Sequence, residues 1–390
     1  MTSATIALIT SHLFARNDGQ GRVNYEIARA ALKAGFRLCI LAMRCDEDLA
    51  AEPSVKFVKL DHESLPTELW RNAAFARSVG QWLRAHRQDY DLIQASGYVS
   101  PVPADINTAH MVHSGWIKSP AYPFSWRSGP YSAYQRFYTV RNAHLEKAAY
   151  LGARQVVAVS HKIADELRAI GVKNERLSVI YNGVDVQEFR SGVRDRVRFG
   201  LPEDPVIFLF AGDIRTPRKG LDTVLAALTA TPNAHLAVAG AVEGSSFPAQ
   251  TQAQGLANRV HFLGQVANMP ALMWACDAFV FPSRYDPLGL VLLEAMASGL
   301  PVLTARTAGG AEILGHGGRV LDDPNDTATL AQWMRDLAGD AVLRQRMGAA
   351  GREIAERYTW ERMAAAYLAL YDELLSTKKS PRPVYQGDVS

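Results

Sequence analysis

Short apolar runs rich in β-branched and aromatic residues alternate with helical patterns along almost the whole chain, and the plan is run through twice. Neighbouring parallel strands must be joined by a crossover, usually a helix, so this alternation restricts the chain to α/β units built on parallel sheets. In the first half, strands are expected from Thr5 to Thr10, Arg37 to Ala42, Val55 to Leu60, Leu92 to Ala95, Asn107 to Met111 and Val156 to Val159. A helix from Arg22 to Ala34, closed by Gly35, lies among them. The second half repeats the plan with strands from Val206 to Ala211, His235 to Ala239, Ala278 to Phe281 and Pro301 to Leu303, and helices from Leu221 to Leu228 and Leu290 to Ala297. Between Tyr181 and Pro205 no pattern survives Asn182, Gly183, Gly192, the charges from Arg194 to Arg198, Gly200 and Pro202, so the hinge is placed there. The expected architecture is two facing Rossmann-like, doubly wound α/β domains, 1–185 and 186–358. A helix over 359–376 packs back on the N-terminal domain, and a polar tail over 377–390 is expected to be disordered. Facing domains bring the carboxyl ends of both sheets to one cleft, where open α/β sheets bind ligands.

With 390 residues, 48% of them hydrophobic and 21% charged, the chain can bury two sheets without disulfide staples. Cys39, Cys45 and Cys276 are an odd, scattered set that fits neither a disulfide framework nor a zinc site, so a reducing cytoplasm is expected. A formal charge of +3 is too small for a dedicated nucleic-acid binder. No apolar run is long enough to span a bilayer and no basic leader precedes Thr5, which leaves a cytoplasmic protein, with weak attraction to the anionic inner face of the membrane still open.

Three loops after second-half strands carry the chemistry. Gly212-Asp213-Ile214-Arg215-Thr216-Pro217-Arg218-Lys219-Gly220 presents the planar fork of Arg218 beside the point charge of Lys219, the donors a diphosphate needs; a solvated basic turn is the alternative. Pro282-Ser283-Arg284-Tyr285-Asp286-Pro287-Leu288-Gly289-Leu290-Val291-Leu292-Leu293-Glu294 keeps Asp286 in a loop and sets Glu294 about one turn into an apolar helix. There Glu294 could satisfy two ribose hydroxyls or serve a cap or salt bridge. Ala308-Gly309-Gly310-Ala311-Glu312 puts glycines at a short helix start, either an anion site or merely a tight turn.

Taken in order, R-K-G, D-P-L-G-L-V-L-L-E-A-M-A-S-G-L-P-V and A-G-G-A-E-I resemble the C-terminal domain of the family 4 retaining glycosyltransferases of GT-B fold. There two acids separated by seven residues mark the donor site. V-V-A-V-S ending at Ser160, Y-N-G-V-D from Tyr181 and R-V-H-F-L-G from Arg259 extend the resemblance over nearly the whole chain. The P-R-K-G spacing is similar to that of phosphatidylinositol mannosyltransferases and lipopolysaccharide core glucosyltransferases. The resemblance implies that Arg218 and Lys219 hold the donor diphosphate, Glu294 the ribose and Asp286 the hydroxyls of the transferred sugar. It further implies that amides near Gly309 and Gly310, with Gly212, Leu288, Gly289 and Leu290, line the phosphate and sugar positions, while Val242 and Val266 flank the base. Asp286 departs from the family's usual Glu. Asp213 stands where many members carry Arg, so one phosphate contact is missing or is replaced by Arg215.

In the first half, Asp18-Gly19-Gln20-Gly21 precedes a helix but fails as a dinucleotide fingerprint, because the third glycine position is Asn24 and the turn is too long. The resemblance brings the amides of Gly19 and Gly21 to the donor and Asp18 to the acceptor; a plain capped helix start is the alternative. The resemblance implies that one of His110 and His113, at or just beyond the strand from Asn107 to Met111, faces the reacting sugar; His113 is favoured because Ser114 and Gly115 follow it, and a packed or surface histidine is the alternative. Trp116 to Arg141 holds eight aromatics with Lys118, Arg127, Arg136 and Arg141 and no acid. This reads as a loop for a lipid-linked acceptor or a membrane surface, or as aromatic filler over the sheet.

The resemblance implies metal-independent transfer of a hexose from a UDP- or GDP-sugar to a glycan or glycolipid hydroxyl in envelope or exopolysaccharide synthesis, with no cofactor beyond the donor. Cationic side chains and helix N-termini would stabilise the departing diphosphate. A nucleotide-sugar epimerase of the same fold, or a non-catalytic sugar-nucleotide or glycan binder, are the competing readings.

Overall fold

The computed structural model describes residues 4–16 and 18–379. Asn17 and the last part of the tail, 380–390, lie outside the described residues; residues 377–379, expected in a disordered tail, continue the final helix, Trp360–Lys379. Two compact units form, the first from residues 4–108, 148–157 and 361–379 and the second from 109–147 and 158–360.

Seven strands make one sheet: β1 (Thr5–Ile9), β2 (Arg37–Ala42), β3 (Val55–Lys59), β4 (Leu92–Ser96), β5 (Ile106–Ala109), β6 (Gln155–Ala158) and β7 (Leu177–Val179), in the order β3-β2-β1-β4-β5-β6-β7. Six make the other: β8 (Val206–Ala211), β9 (Ala234–Ala239), β10 (Val260–Gly264), β11 (Ala278–Phe281), β12 (Val302–Ala305) and β13 (Gly318–Leu321), in the order β10-β9-β8-β11-β12-β13. Every neighbouring pair of the second sheet is parallel, as are β1 with β2 and β4, β2 with β3, and β4 with β5. The sequence cause is plain in β8 and β11: Ile207 to Phe210 and Ala278 to Val280 are wholly buried, the continuous apolar run that a strand covered on both faces requires. In both sheets the first strand lies centrally and the order reverses beside it, which opens a gap between the loops that leave the two neighbours in opposite directions.

Elements missed by periodicity come from capping and long-range pairing. The first helix, Gly19–Lys33, begins three residues before the expected Arg22 because Asp18 caps it. The strand expected from Asn107 to Met111 is Ile106–Ala109, so His110 follows it. The stretch read as a loop from Trp116 to Arg141 is corrected in part: the helices His113–Lys118 and Pro130–Gly152 enter it from either end, the second with proline at its first position, and only residues 119–129 between them are irregular. Among the charges placed at the hinge, Arg196 is 1% exposed. Its guanidinium donates to the carbonyls of Ala275, Pro202, Glu203 and Pro205 and to Asp277 at 2.6 Å, which also receives the Ile207 N–H. A buried cation is tolerated because four carbonyls and a carboxylate replace its water.

Candidate donor site on the second sheet

The R-K-G loop leaves β8, the acid-bearing loop leaves β11 and the Gly-Gly turn follows β12, three adjacent strands of one sheet. Backbone fit stitches the first two together. Gly220 sits at φ +82°, and a Cβ there would meet the Pro282 carbonyl oxygen at 2.2 Å, so the turn needs glycine for conformation and for space. The Arg284 N–H donates to the Arg218 carbonyl at 2.8 Å. The Arg284 guanidinium clasps both Asp222 oxygens at 2.7 and 2.8 Å and reaches Thr223, Asn325 and the Pro217 carbonyl. Nothing in the local pattern distinguishes this arginine from Arg218 and Lys219; its planar fork makes it a fastener between the loops.

The Gly-Gly turn corrects one expectation. The Gly309 N–H donates to the Asp286 carbonyl at 3.0 Å and the Gly310 N–H to that of Leu288 at 2.6 Å. Neither amide is left for an anion. A Cβ at Gly309 would lie 2.0 Å from the Pro287 oxygen and one at Gly310 2.6 Å from that of Leu288. The glycines permit two backbones to touch, and the following 3₁₀ turn, Gly309–Ile313, is five residues long. Leu290–Ala297 is the helix whose start stays open: Gly289, at φ +82°, precedes Leu290 and no side chain caps it, leaving an amide-lined positive end.

Lys219 donates to Asp286 in an ion pair whose side chains are only 14% and 9% exposed. Glu294 occupies the fifth position of the open helix and is half-buried. Arg218 lies with its guanidinium 6.0 Å over the Trp116 ring. Arg215 is turned onto Asp213 at 2.8 Å and is exposed. Burial alone would push the Asp213 carboxyl up; the hydrogen bonds from Arg215 and the charge of Arg218 outweigh it and hold the group below the usual carboxylate range. Gly212 ends β8 with its N–H on the Ala239 carbonyl, and its own carbonyl is so close to Gly240 that a Cβ there would stand 2.2 Å away. Val242 and Val266 are half-buried on the loops after β9 and β10.

Further residues of the same unit hold these loops from below. Tyr285 donates to the Val112 carbonyl at 3.2 Å and to Glu166 at 2.8 Å, and Glu166 accepts from Lys162 at 2.7 Å. Burial first, then the Glu166 carboxylate, drive the Tyr285 hydroxyl far above its ordinary pKa, so it stays a donor. Ser160 donates to the Pro287 carbonyl at 2.6 Å, while Glu312 accepts from the His161 N–H and the Tyr181 hydroxyl at 2.7 and 2.8 Å. Ser160 and Tyr181 thus close two of the quoted motifs onto the loops they accompany. His113 is drawn beside the same loops through Val112, and its Nδ1 lies 2.8 Å from Glu146. His110 is half-buried, with Nε2 sealed from solvent.

In the first unit, Asp18 accepts the Gly21 N–H at 2.6 Å. The cap therefore consumes the Gly21 amide expected to meet the donor, and a Cβ at Gly21 would press on Asp18 and the Ala15 carbonyl at 3.0 and 3.1 Å. Gly19 is the first residue of that helix. Among the described residues no helix is long and apolar enough to cross a membrane, and no three His, Cys, Asp or Glu residues gather as metal ligands.

Two family models match the chain, one described as Glycosyl transferases group 1 over residues 193–354 and one as Glycosyltransferase Family 4 over residues 17–188. The D-inositol 3-phosphate glycosyltransferase of Streptomyces avermitilis is 30% identical over 349 residues, which cover 80% of this chain and 71% of that one. The N-acetyl-alpha-D-glucosaminyl L-malate synthase of Bacillus anthracis is 28% identical over 234 residues, 58% of this chain and 61% of the relative. Among solved structures, the sucrose-phosphate synthase of Thermosynechococcus elongatus superposes with a TM-score of 0.78 at 22% identity, over 96% of this chain and all of the other. An Anabaena protein in complex with UDP-glucose gives 0.72 at 22% identity, over 96% and 99%.

Proposed function

Since the chain belongs to the family 4 glycosyltransferases and has their GT-B fold, we propose that it moves a hexose, with retention, from a UDP- or GDP-sugar to a hydroxyl of a glycan or glycolipid. The observation that carries this is the placement of Arg218, Lys219 and Asp286 on loops from adjacent strand ends, with Glu294 about one turn into the open helix that follows. Arg218, Lys219 and the amides at Leu290 meet the charge that grows on the departing diphosphate, so the cationic task falls to the protein rather than to a metal. Glu294 takes the ribose hydroxyls, Asp286 those of the sugar, and Val242 and Val266 the base. The Anabaena neighbour, solved with UDP-glucose, supports a nucleotide-sugar donor, and the Streptomyces relative, named for D-inositol 3-phosphate, supports a polyhydroxylated acceptor.

A role in envelope or exopolysaccharide synthesis at the inner face of the membrane is part of the same proposal. Its support is the helix beginning at Pro130, where Tyr131, Phe137 and Val140 are exposed with Arg127 and Arg141 nearby in the sequence and no acid before Glu146.

The test is a thermal-shift screen against UDP, GDP and their common hexose conjugates, in which a ligand at about 100 times its Kd adds about 2.7 kcal/mol of stability. Lys219→Ala and Glu294→Ala are then expected to lose transfer while melting as cooperatively as the parent. No shift with any nucleotide, or near-parental transfer by either variant, sinks the assignment. Conversion of the sugar nucleotide without acceptor would mark an epimerase instead.

A further inference from the structure

From Ile106 to Leu145 the chain contains no Asp or Glu. The acid that ends this run, Glu146, is 7% exposed and spends both oxygens on a single residue. Its Oε2 accepts the backbone N–H of His113 at 3.0 Å, and its Oε1 lies 2.8 Å from His113 Nδ1. Burying a carboxylate this deeply is costly unless a cation meets it, and among the described residues no cation other than His113 contacts it. Glu166, on the helix His161–Ala169, is neutralised by Lys162 and bonded by Tyr285. Arg218 lies over the Trp116 ring. Tyr138, about two turns before Glu146 on the same helix, sets its ring 6.3 Å edge-on to the imidazole. His113 is therefore the counter-charge of Glu146. The ring's Nε2 has no hydrogen-bond partner among the described residues.

We propose that Glu146 is a positioning residue. It holds the backbone N–H of His113 by a hydrogen bond and Nδ1 by an ion-pair contact, sets the ring, and leaves Nε2 for an oxygen of the transferred sugar. The bidentate grip is what gives direction: one contact would leave the ring free to turn about χ2, whereas holding the N–H and Nδ1 at once leaves Nε2 a single outlook. Burial opposes the charge, but the Glu146 carboxylate outweighs it and raises the His113 pKa above its ordinary value. The proposal rests on the nucleotide-sugar reading of the neighbouring loops.

Glu146→Gln keeps the size of the side chain and an acceptor for the backbone N–H but removes the charge. In imidazole NMR, with the His113 resonance assigned by its loss in His113→Gln, the titration midpoint of His113 is expected to fall in Glu146→Gln and to be restored in Glu146→Asp. Calorimetry with UDP, UDP-glucose, GDP and GDP-mannose gives the second readout. Charge-assisted hydrogen bonds are about twice as strong as neutral ones. Glu146→Gln should thus weaken the sugar nucleotide that the parent binds by about tenfold, an effect of about 1.4 kcal/mol, and leave the corresponding nucleoside diphosphate unchanged. An unmoved midpoint overturns the proposal. So does a parental ratio of sugar nucleotide to nucleoside diphosphate affinity, while the donor reading stands. Absence of binding by all four ligands to the parent overturns both.

Discussion

Replacing Asp286 by Asn probes the ion pair at the centre of the site. Lys219 and Asp286 are 14% and 9% exposed, so solvent can do little for the ammonium once the carboxylate is gone. Removing one partner of a buried pair typically costs about 3–5 kcal/mol; Asn retains an acceptor oxygen of the same reach, which puts the expected loss near the lower figure. For a unit of this size about 1 kcal/mol moves the melting point by roughly 2–4 °C, so Asp286→Asn should melt roughly 6–12 °C below the parent. The same change should improve one ligand. In the parent a bound diphosphate must share Lys219 with Asp286, and two like charges about 5 Å apart at an effective dielectric of 20 repel by about 3 kcal/mol. If solvent entering with the ligand screens half of this, UDP or GDP should bind Asp286→Asn about tenfold more tightly. The sugar conjugate gains less, because it loses the carboxylate that would receive its hydroxyls. Differential scanning calorimetry with and without each nucleotide reads both effects. A variant that melts within about 2 °C of the parent and binds the free diphosphate no better would refute the counter-ion argument.

Gly309→Ala should destabilise by about 2 kcal/mol or more, read as a lower urea midpoint whether or not nucleotide is present, because its Cβ would stand 2.0 Å from the Pro287 oxygen. Arg196→Met strips five acceptors of their donor and leaves Asp277 buried with only Arg194 and the Ile207 N–H, so a loss of about 3–5 kcal/mol in urea unfolding is expected; a neutral outcome would mean that packing alone secures this segment. The raised pKa of His113 makes its stabilising contribution complete below the unfolded value of about 6.5 and lost as pH rises through the folded value. The stability gap between the parent and His113→Gln, measured in urea from acid to alkaline pH, should narrow upward; a gap that widens with pH contradicts the ion pair.

What could be read from the chain beforehand was whatever is written locally. Val206–Ala211, Ala278–Phe281 and Leu290–Ala297 stand where the apolar runs and their Gly and Pro boundaries put them, because burial on both faces leaves little room for other residues. The open start of the Leu290 helix follows from Pro287 and Gly289 in the same way. Partnership across the chain was not legible. Gly309 and Gly310 look like an anion-binding turn until the Asp286 and Leu288 carbonyls arrive from the neighbouring loop. Arg196 and Arg284 look like solvated charges because their acceptors lie up to 81 residues away. The helix from Pro130 was missed for another reason: aromatic and basic residues surround it without a clear apolar stripe, and only Pro130 itself announced the start. Glu146, near its end, was invisible because its importance comes from His113, 33 positions earlier.

Four cations crowd the loops after β8 and β11, yet three are already matched: Arg215 by Asp213, Lys219 by Asp286 and Arg284 by Asp222. Arg218 alone has no ion-pair partner among the described residues. The site thus projects far less positive potential than four cations would suggest. Long-range attraction then contributes little to ligand capture, and association rates should respond only weakly to ionic strength. Discrimination would reside instead in how slowly a ligand leaves once it has replaced a carboxylate at Lys219.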